Sequence, residues 1–349
     1  MHDRHRPGGI VSRRAFLRTS TAAVGAGALL APIGFRQAIA QGGGAAPAPR
    51  NARPGMTYRQ LGRTRIAASR LVFGCGAALA GGGAERLIER ALELGINLFD
   101  TGSAVVYRES ERNLAPFLKA HRNEVWVISK APLSVGRTPS EAVGVEDLRT
   151  AAGQWLSLLD QSLADLGTDH IDGYSLMAVS NPAVVRSEEL RAAFEKAKAA
   201  GKVDFFGIST HANAANVLAA AADTGWYDYI MVAVTPAGWY DWDLKDLAKD
   251  TPPLVELRPL LDRARTAGIG LIAMKTGRWL AGRVAAEDSR SPFDTHYDEK
   301  LLAVPLNPFQ RAYAFVLDHG LDVVNAHMPN LRQLEENVAA VAVGVHPAG

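Results

Sequence analysis

The stretch that decides the fold is residues 95–132, which read GINLFDTGSAVVYRESERNLAPFLKAHRNEVWVISKAP. Its two apolar runs, residues 96–99 and 125–128, have the composition of short buried strands. A helical pattern over residues 110–119 lies between them. Two strands that are joined by a helix in one sheet are parallel, and the crossover between them is right-handed. We therefore interpret this stretch as one strand–helix–strand unit of an α/β protein.

Each of the two apolar runs ends close to a charged residue, Asp100 after the first and Lys130 after the second. Because parallel strands end on the same face of a sheet, both side chains are expected at carboxyl ends and on one face. Tyr107 lies in the loop that leads from the first strand to the helix. In a parallel barrel this face carries the chemistry.

The same alternation of strand and helix continues along the chain. Apolar runs lie at residues 71–74, 96–99, 125–129, 171–176, 203–208, 229–234, 270–274 and 323–326. Helical patterns lie at residues 84–94, 110–119, 145–166, 188–200, 213–222, 255–267, 308–319 and 330–341. Eight such pairs predict an α/β fold, a (β/α)8 TIM barrel, preceded by a β-hairpin over residues 57–70. An open doubly wound sheet is the alternative, but the glycines after the first strand lack the spacing of its phosphate-binding turn.

The composition, with 48% hydrophobic and 21% charged residues in 349, is that of an ordinary globular protein. The formal net charge is +2 and the basic residues do not cluster, so neither nucleic acid nor an anionic membrane is an expected partner. Cys75 is the single cysteine of the sequence, which excludes an intrachain disulfide and a cysteine metal cluster. We predict no metal site.

The N-terminus has the pattern of an export signal. Residues 12–18, SRRAFLR, form a twin-arginine motif, a moderately apolar run follows over residues 19–35, and residues 38–40, AIA, form a small-residue cleavage site. A transmembrane anchor is the alternative, but the run is short and rich in alanine and glycine. The predicted organisation is a signal peptide at residues 1–40, a disordered linker at 41–56, the barrel at 57–343 and a tail at 344–349. Residues 12–40 would engage the twin-arginine export machinery, and the mature protein would be periplasmic or otherwise exported.

Six segments resemble the aldo/keto reductase family, in the family's order. They are GINLFDT with the following Y-x-x-S-E loop of residues 107–111, VISKAP from residue 127, SLADLGTDHIDGYSLM from 162, AGKVDFFGIST from 200, GIGLIAMKTG from 268 and NLRQLEENV from 330. The resemblance implies a barrel oxidoreductase that transfers hydride between NADP(H), or NAD, and a small carbonyl or alcohol substrate.

The resemblance also implies a catalytic tetrad of Asp, Tyr, Lys and His. By motif, Asp100, Tyr107 and Lys130 match the first three, although the interval from Asp100 to Tyr107 is two residues longer than usual in the family. A phenol is a weak acid, and a neighbouring ammonium helps it to exchange a proton. Met177 occupies the position of the family's His, and a thioether cannot donate a hydrogen bond. His211 and His327, after the fifth and eighth strands, could replace it.

For the cofactor, the resemblance points to five residues. Ser209 would contact the nicotinamide carboxamide and Lys275 would lie near the phosphates. Arg332 could pair with the 2′-phosphate of NADP, and Glu336 with Asn337 matches the adenine side. Trp239 or Tyr240 could offer an aromatic surface to the nicotinamide.

Two other functions stay open at this point. The protein could be an exported barrel that binds a cofactor or another ligand and catalyses little, because Met177 replaces the His. It could also be a lyase that forms a Schiff base at Lys130 or Lys275, which would require a lowered pKa of that amine. The long loops at residues 239–251 and 276–307 are expected over the catalytic face, where loops determine substrate choice.

Overall fold

The computed structural model describes residues 47–342. Its strands, in chain order, are β1 (Tyr58–Gln60), β2 (Ala67–Ser69), β3 (Leu71–Gly74), β4 (Leu98–Asp100), β5 (Trp126–Pro132), β6 (Ile171–Met177), β7 (Val203–Thr210), β8 (Tyr229–Thr235), β9 (Gly238–Asp241), β10 (Asp246–Leu247), β11 (Gly270–Met274) and β12 (Val323–Ala326). Its helices are α1 (Cys75–Leu79), α2 (Glu85–Glu93), α3 (Ala104–Tyr107), α4 (Ser110–His121), α5 (Val145–Leu166), α6 (Pro182–Val185), α7 (Glu188–Ala199), α8 (Ala214–Thr224), α9 (Arg258–Thr266), α10 (Glu299–Ala303), α11 (Pro308–Asp318) and α12 (Leu331–Ala339), with 3₁₀ turns at Leu254–Leu257 and Pro292–His296.

Eight parallel strands close into a barrel. They pair in the order β3, β4, β5, β6, β7, β8, β11 and β12, and β12 returns to pair with β3. The closed barrel with alternating helices confirms the predicted (β/α)8 fold. Every strand therefore ends on the same face, and Asp100, the last residue of β4, lies there.

The β1–β2 hairpin precedes the barrel, as expected from residues 57–70. Leu61 and Ile66 of its turn, with Ala68 of β2, are fully buried and belong to the same apolar cluster as the inward-facing residues of the barrel strands. A second, larger cluster fills the space between the barrel and the surrounding helices. Burial of apolar surface in both layers is the main term that holds the strand ends, and so the site, in place.

Part of the predicted linker is in contact with the barrel. The Arg50 guanidinium donates to the Val125 carbonyl at 2.7 Å and lies over the Trp126 ring. The Asn51 side chain donates to the Leu92 carbonyl at 2.6 Å, and Met56 forms an antiparallel bridge with Ala342. From Arg50 onward this segment is therefore packed against the barrel. The predicted signal peptide, the first residues of the linker, and the tail lie outside the described residues.

The two long loops are tied together. The hairpin of β9 and β10 folds back from the end of β8, where β9 pairs with β8 in antiparallel register. The Trp279 indole, in the loop after β11, donates to Asp246 of β10 at 2.5 Å. Arg283 lies 3.7 Å from the same carboxylate. Within residues 47–342, no helix is long and apolar enough to cross a membrane.

His170, Asp172 and Asp204 meet at the opposite end of the barrel, where β6 and β7 begin. Arg122 lies 3.0 Å from Asp172, and Arg65 pairs with Asp204. Arginine charge therefore already balances both carboxylates, and we interpret this cluster as a structural network of ion pairs.

Candidate active site

A buried ion pair forms the base of the site. The Lys130 ammonium donates to both Asp100 oxygens, at 2.6 and 2.7 Å, and to the Thr101 carbonyl at 2.6 Å. The two side chains are 5% and 8% exposed. All three protons of the ammonium are thus used, so Lys130 acts on its surroundings as a fixed positive charge.

The ion pair determines the protonation of Lys130. Burial alone would lower the pKa of Lys130, but the Asp100 carboxylate beside it, together with the nearby Tyr107 phenol, raises that pKa above its ordinary value. The amine therefore stays charged throughout the neutral range.

Asn325, on β12, is a member of this site that the sequence analysis did not identify. Its amide donates to Asp100 at 2.7 Å and lies 3.5 Å from the Met231 sulfur. The Asp100 carboxylate is thus bound by side chains from two other barrel strands, β5 and β12. A polar residue in an otherwise apolar strand was the signal that could have revealed Asn325.

Tyr107 lies above the pair in a narrow slot. Its ring centroid is 5.4 Å from the Lys130 nitrogen. A Cβ on Gly76 would come within 2.8 Å of the ring, and a Cβ on Gly102 within 2.7 Å. The ring is therefore enclosed by two glycine backbones, which no larger residue could replace without moving it.

The short helix α3 explains how the longer interval after Asp100 is accommodated. The Ser103 amide donates to the Lys130 carbonyl at 2.9 Å, so the chain follows β5 beyond the end of β4. One helical turn then brings Tyr107 back over Lys130, and Arg108 ends the turn with a φ of +52°. The extra residues form this turn, which places the Tyr107 ring over the Lys130 ammonium.

Met177 lies where the sequence analysis placed it, at the end of β6, and is 9% exposed. It lines a cleft of about 280 Å³ together with His211 and Trp242. Ser209, on β7, is buried, and its hydroxyl accepts a hydrogen bond from the Ala178 amide at 3.1 Å. This bond holds the loop after Met177, so Ser209 has a structural partner in addition to its predicted contact with the cofactor.

Trp242, in the β9–β10 hairpin, is the second residue that the sequence analysis missed. Its ring has the Lys245 nitrogen 3.3 Å from its centroid and the Lys275 nitrogen at 4.1 Å. The His211 ring stacks on it with centroids 5.8 Å apart. Cation–π contacts of this kind fix an indole at the mouth of the barrel.

Trp239 and Tyr240, the two aromatic residues expected to face the nicotinamide, are both buried. Trp239 is buried in the apolar layer outside the barrel strands, and Tyr240 is buried in the interior cluster. Because β9 is a strand, the two side chains point to opposite faces, and only Tyr240 belongs to the cluster of the barrel interior. Trp242, just beyond β9, lines the cleft that contains Met177.

The pKa of Lys275 is shifted in the opposite direction to that of Lys130. Burial and the neighbouring charges of Lys130 and Arg278 lower the pKa of Lys275 to about 8. Its φ of +62° is a left-handed conformation that residues other than glycine seldom adopt. In the described chain, no carboxylate lies within ion-pair distance of its amine.

The two histidines that could replace the missing catalytic His differ in burial and in position. His211 is half-buried, and burial with the charges of Lys275 and Lys130 lowers its pKa to about 3. His327 is exposed, and desolvation with the charges of Lys275 and Arg278 lowers its pKa. Of the two, His211 lines the cleft that contains Met177.

The predicted adenosine side of the site is a separate groove of about 700 Å³ between the N-terminal ends of α2 and α12. Arg332 lines it, 75% exposed and 3.4 Å from Glu336. Arg86, on α2, lines it from the other side and was not identified from the sequence. Asn337 is buried on the inner face of α12. Two helix N-termini with exposed guanidinium groups fit a phosphate-bearing group.

A closed parallel barrel with a buried Asp–Lys pair beneath a tyrosine at its mouth has the architecture of a barrel enzyme. The model of the aldo/keto reductase family matches residues 74–297, and the chain belongs to that family.

Solved structures share the fold. An aldo-keto reductase from Bacillus halodurans, in its holo form, is 22% identical with a TM-score of 0.58, over 82% of this chain and 91% of that one. An aldo-keto reductase from Klebsiella pneumoniae, in complex with NADPH, is 18% identical with a TM-score of 0.55, over 82% and 89%.

Proposed function

We propose that this protein is an NADP-dependent oxidoreductase that transfers hydride between the nicotinamide and a small carbonyl or alcohol. The observation that carries the proposal is the Tyr107 ring, enclosed by Gly76 and Gly102 above the charged Lys130. Family membership and a relative of the same fold solved with NADPH support the cofactor.

The roles of the chain's own residues follow from the geometry. When bound, a reduced nicotinamide would supply hydride for the carbonyl carbon. Tyr107 donates its phenolic proton to the oxygen, which becomes an alcohol. Lys130 stabilises the phenolate that remains, by charge alone, since its three protons are bound to Asp100 and Thr101. General acid catalysis of this kind contributes roughly 10²–10⁴-fold.

The cofactor would extend from the mouth of the barrel to the groove between α2 and α12. Lys275 would lie near its phosphates and Ser209 near the carboxamide. Arg332 and Arg86 would face the adenosine phosphate, with Glu336 and Asn337 on the adenine side. The exposed guanidinium of Arg332 is the group that would favour NADP over NAD.

A fluorescence titration with NADPH and NADH, followed by turnover on a panel of carbonyls, tests the proposal. We expect tighter binding of NADPH, weakened by Arg332→Ala. Tyr107→Phe should lower turnover by roughly 10²–10⁴-fold with NADPH affinity unchanged. Tyr297→Phe is the matched control, because that buried phenol has no hydrogen-bond partner and packs against Phe315 in the helical layer. NADPH binding without turnover would support a catalytically silent binding protein, and absence of binding would refute the proposal.

A second candidate, a lyase that forms a Schiff base, is favoured by one observation at Lys275. Its pKa of about 8 leaves a useful fraction of free amine near neutrality. Lys130 is unsuited to this role because its pKa is raised and its protons are all bound. If the protein is such a lyase, trapping with borohydride and a carbonyl compound should label Lys275. Lys275→Met would abolish the adduct and Lys245→Met, on the same indole ring, would not.

We further propose that the protein is exported folded by the twin-arginine route. The proposal rests on residues 12–18 and the cleavage site at residues 38–40. Cell fractionation should place the mature protein, beginning at Gln41, outside the cytoplasm. Replacement of Arg13 and Arg14 by lysine should retain the precursor inside, and export of that variant would contradict the proposal.

A further inference from the structure

The cleft beside Met177 holds an imidazole that the mechanism above does not use. Met177 ends β6 and His211 directly follows β7, and these two strands are neighbours in the barrel. Both side chains line the same cleft of about 280 Å³ at the catalytic end. A group bound at the mouth beside Met177 is therefore within the space that His211 also borders.

The His211 ring is held in place, but its nitrogens are free. It stacks on Trp242, with the two planes inclined by 30°. Trp242 is in turn fixed by the ammonium groups of Lys245 and Lys275. Throughout residues 47–342 no hydrogen bond or ion pair involves the imidazole. A ring that is oriented by packing alone keeps its N–H available for a ligand in the cleft.

Burial, and after it the surrounding charges, lower the pKa of His211 and keep this ring neutral. The groups that face it are Lys130 on β5, Lys275 after β11, and Lys245 and Asp241 on the β9–β10 hairpin. Three of these four are cations, so protonation of the imidazole is opposed. Lys130 lies on β5, which pairs with β6 up to Met177, so the Asp100–Lys130 pair and the cleft lie at the carboxyl ends of neighbouring strands. A neutral imidazole has one N–H donor, which a carbonyl oxygen can accept.

Met177 offers no such donor, and carbonyl reduction benefits from one, because negative charge develops on the oxygen. We propose that His211 is a catalytic residue that donates its imidazole N–H to the substrate carbonyl oxygen, the role that Met177 cannot perform. The inference rests on the proposed oxidoreductase function. In the balanced step, the hydride of the reduced nicotinamide adds to the carbonyl carbon and the π pair moves to oxygen. That oxygen takes the Tyr107 proton, and an alcohol and an oxidised nicotinamide result.

The test is steady-state turnover of a responsive carbonyl with NADPH, measured beside NADPH affinity and thermal melting. His211→Ala should lower kcat/KM by roughly 10²–10³-fold while NADPH affinity and the melting temperature stay close to the parent. His211→Asn, whose amide keeps an N–H, should retain part of the activity. His327→Ala is the matched control, since that exposed imidazole does not line the cleft, and it should leave kcat/KM unchanged.

A restoring variant and a pH profile separate catalysis from a structural role. Met177→His in the His211→Ala background returns an imidazole to the cleft and should recover turnover. Because His211 stays neutral, the parent kcat/KM should show no limb near pH 6.5 (the ordinary His pKa). If His211→Ala keeps full kcat/KM while Tyr107→Phe loses it, the oxidoreductase function stands and the role of His211 is refuted. If NADPH does not bind, both are refuted together.

Discussion

Replacement of Gly102 by alanine should disable the enzyme without unfolding it. A Cβ at this position would lie 2.7 Å from Cδ2 and 2.9 Å from Cε2 of Tyr107, and 3.2 Å from Cγ of Lys130. Ordinary van der Waals contact begins at 3.4 Å, so the ring must move by about 0.7 Å or more. Gly76 lies against the opposite edge of the Tyr107 ring, so the ring cannot move away from residue 102 without approaching Gly76.

The displacement acts on the proton donor itself. A misplacement of about 1 Å at a reacting group costs roughly 10²-fold in rate, and we expect Gly102→Ala to lower kcat/KM by about that factor. Overpacking of this kind should also lower the free energy of unfolding by about 1–3 kcal/mol. The assays are carbonyl-dependent oxidation of NADPH and denaturation in urea. NADPH affinity should be unchanged, because the groove between α2 and α12 is untouched.

Gly81→Ala is the control, since a Cβ there meets nothing within 4 Å and its backbone is not left-handed. It should match the parent in both assays. If Gly102→Ala folds and keeps kcat/KM within twofold of the parent, Tyr107 is either not the proton donor or free to move. The reasoning from the narrow slot would then be wrong.

Three further outcomes are expected. Lys130→Met should lower the free energy of unfolding in urea by about 3–5 kcal/mol, because it leaves the Asp100 carboxylate buried without its partner; addition of Asp100→Asn should recover part of the loss. Folding lowers the pKa of His211 to about 3, so below about pH 6.5 the unfolded chain binds a proton that the native chain does not. Stability should therefore fall between pH 6.5 and 3 in denaturation curves, and a slope unchanged by His211→Asn would contradict this. Acylation of Lys275, followed by mass spectrometry, should show a midpoint near pH 8, and a midpoint near 10.4 would show that the amine is not desolvated.

The barrel could be predicted from the sequence because each strand is a short apolar run and each helix a separate periodic segment. Asp100 and Lys130 could be placed for the same reason, since both occur where such a run ends and every parallel strand ends on one face. The prediction for Tyr107 depended on the motif of residues 107–111, and in the structure the helix α3 ends at Tyr107, with its ring over Lys130.

Other parts of the site depend on contacts between distant segments. Asn325 meets Asp100 across 225 positions of sequence, and no local pattern encodes such a contact. Trp242 reaches the mouth because the chain folds back at β9 and β10, whereas the pattern alone pointed to Trp239 and Tyr240. The lowered pKa of Lys275 arises from burial and from neighbouring cations, which only the folded chain brings together.

The closing seam of the barrel has a consequence for how the chain folds. β3 and β12 pair side by side although about 250 residues separate them. Beyond that pair, Met56 bridges Ala342 and the Thr57 hydroxyl donates to the Val341 carbonyl at 2.5 Å. Contacts between such distant residues form slowly, because the entropy of closing the loop opposes them until the intervening units are in place. The pairing of β3 with β12 is therefore expected to form last during folding and to break first when the barrel opens. Until then, these few bonds keep the barrel closed.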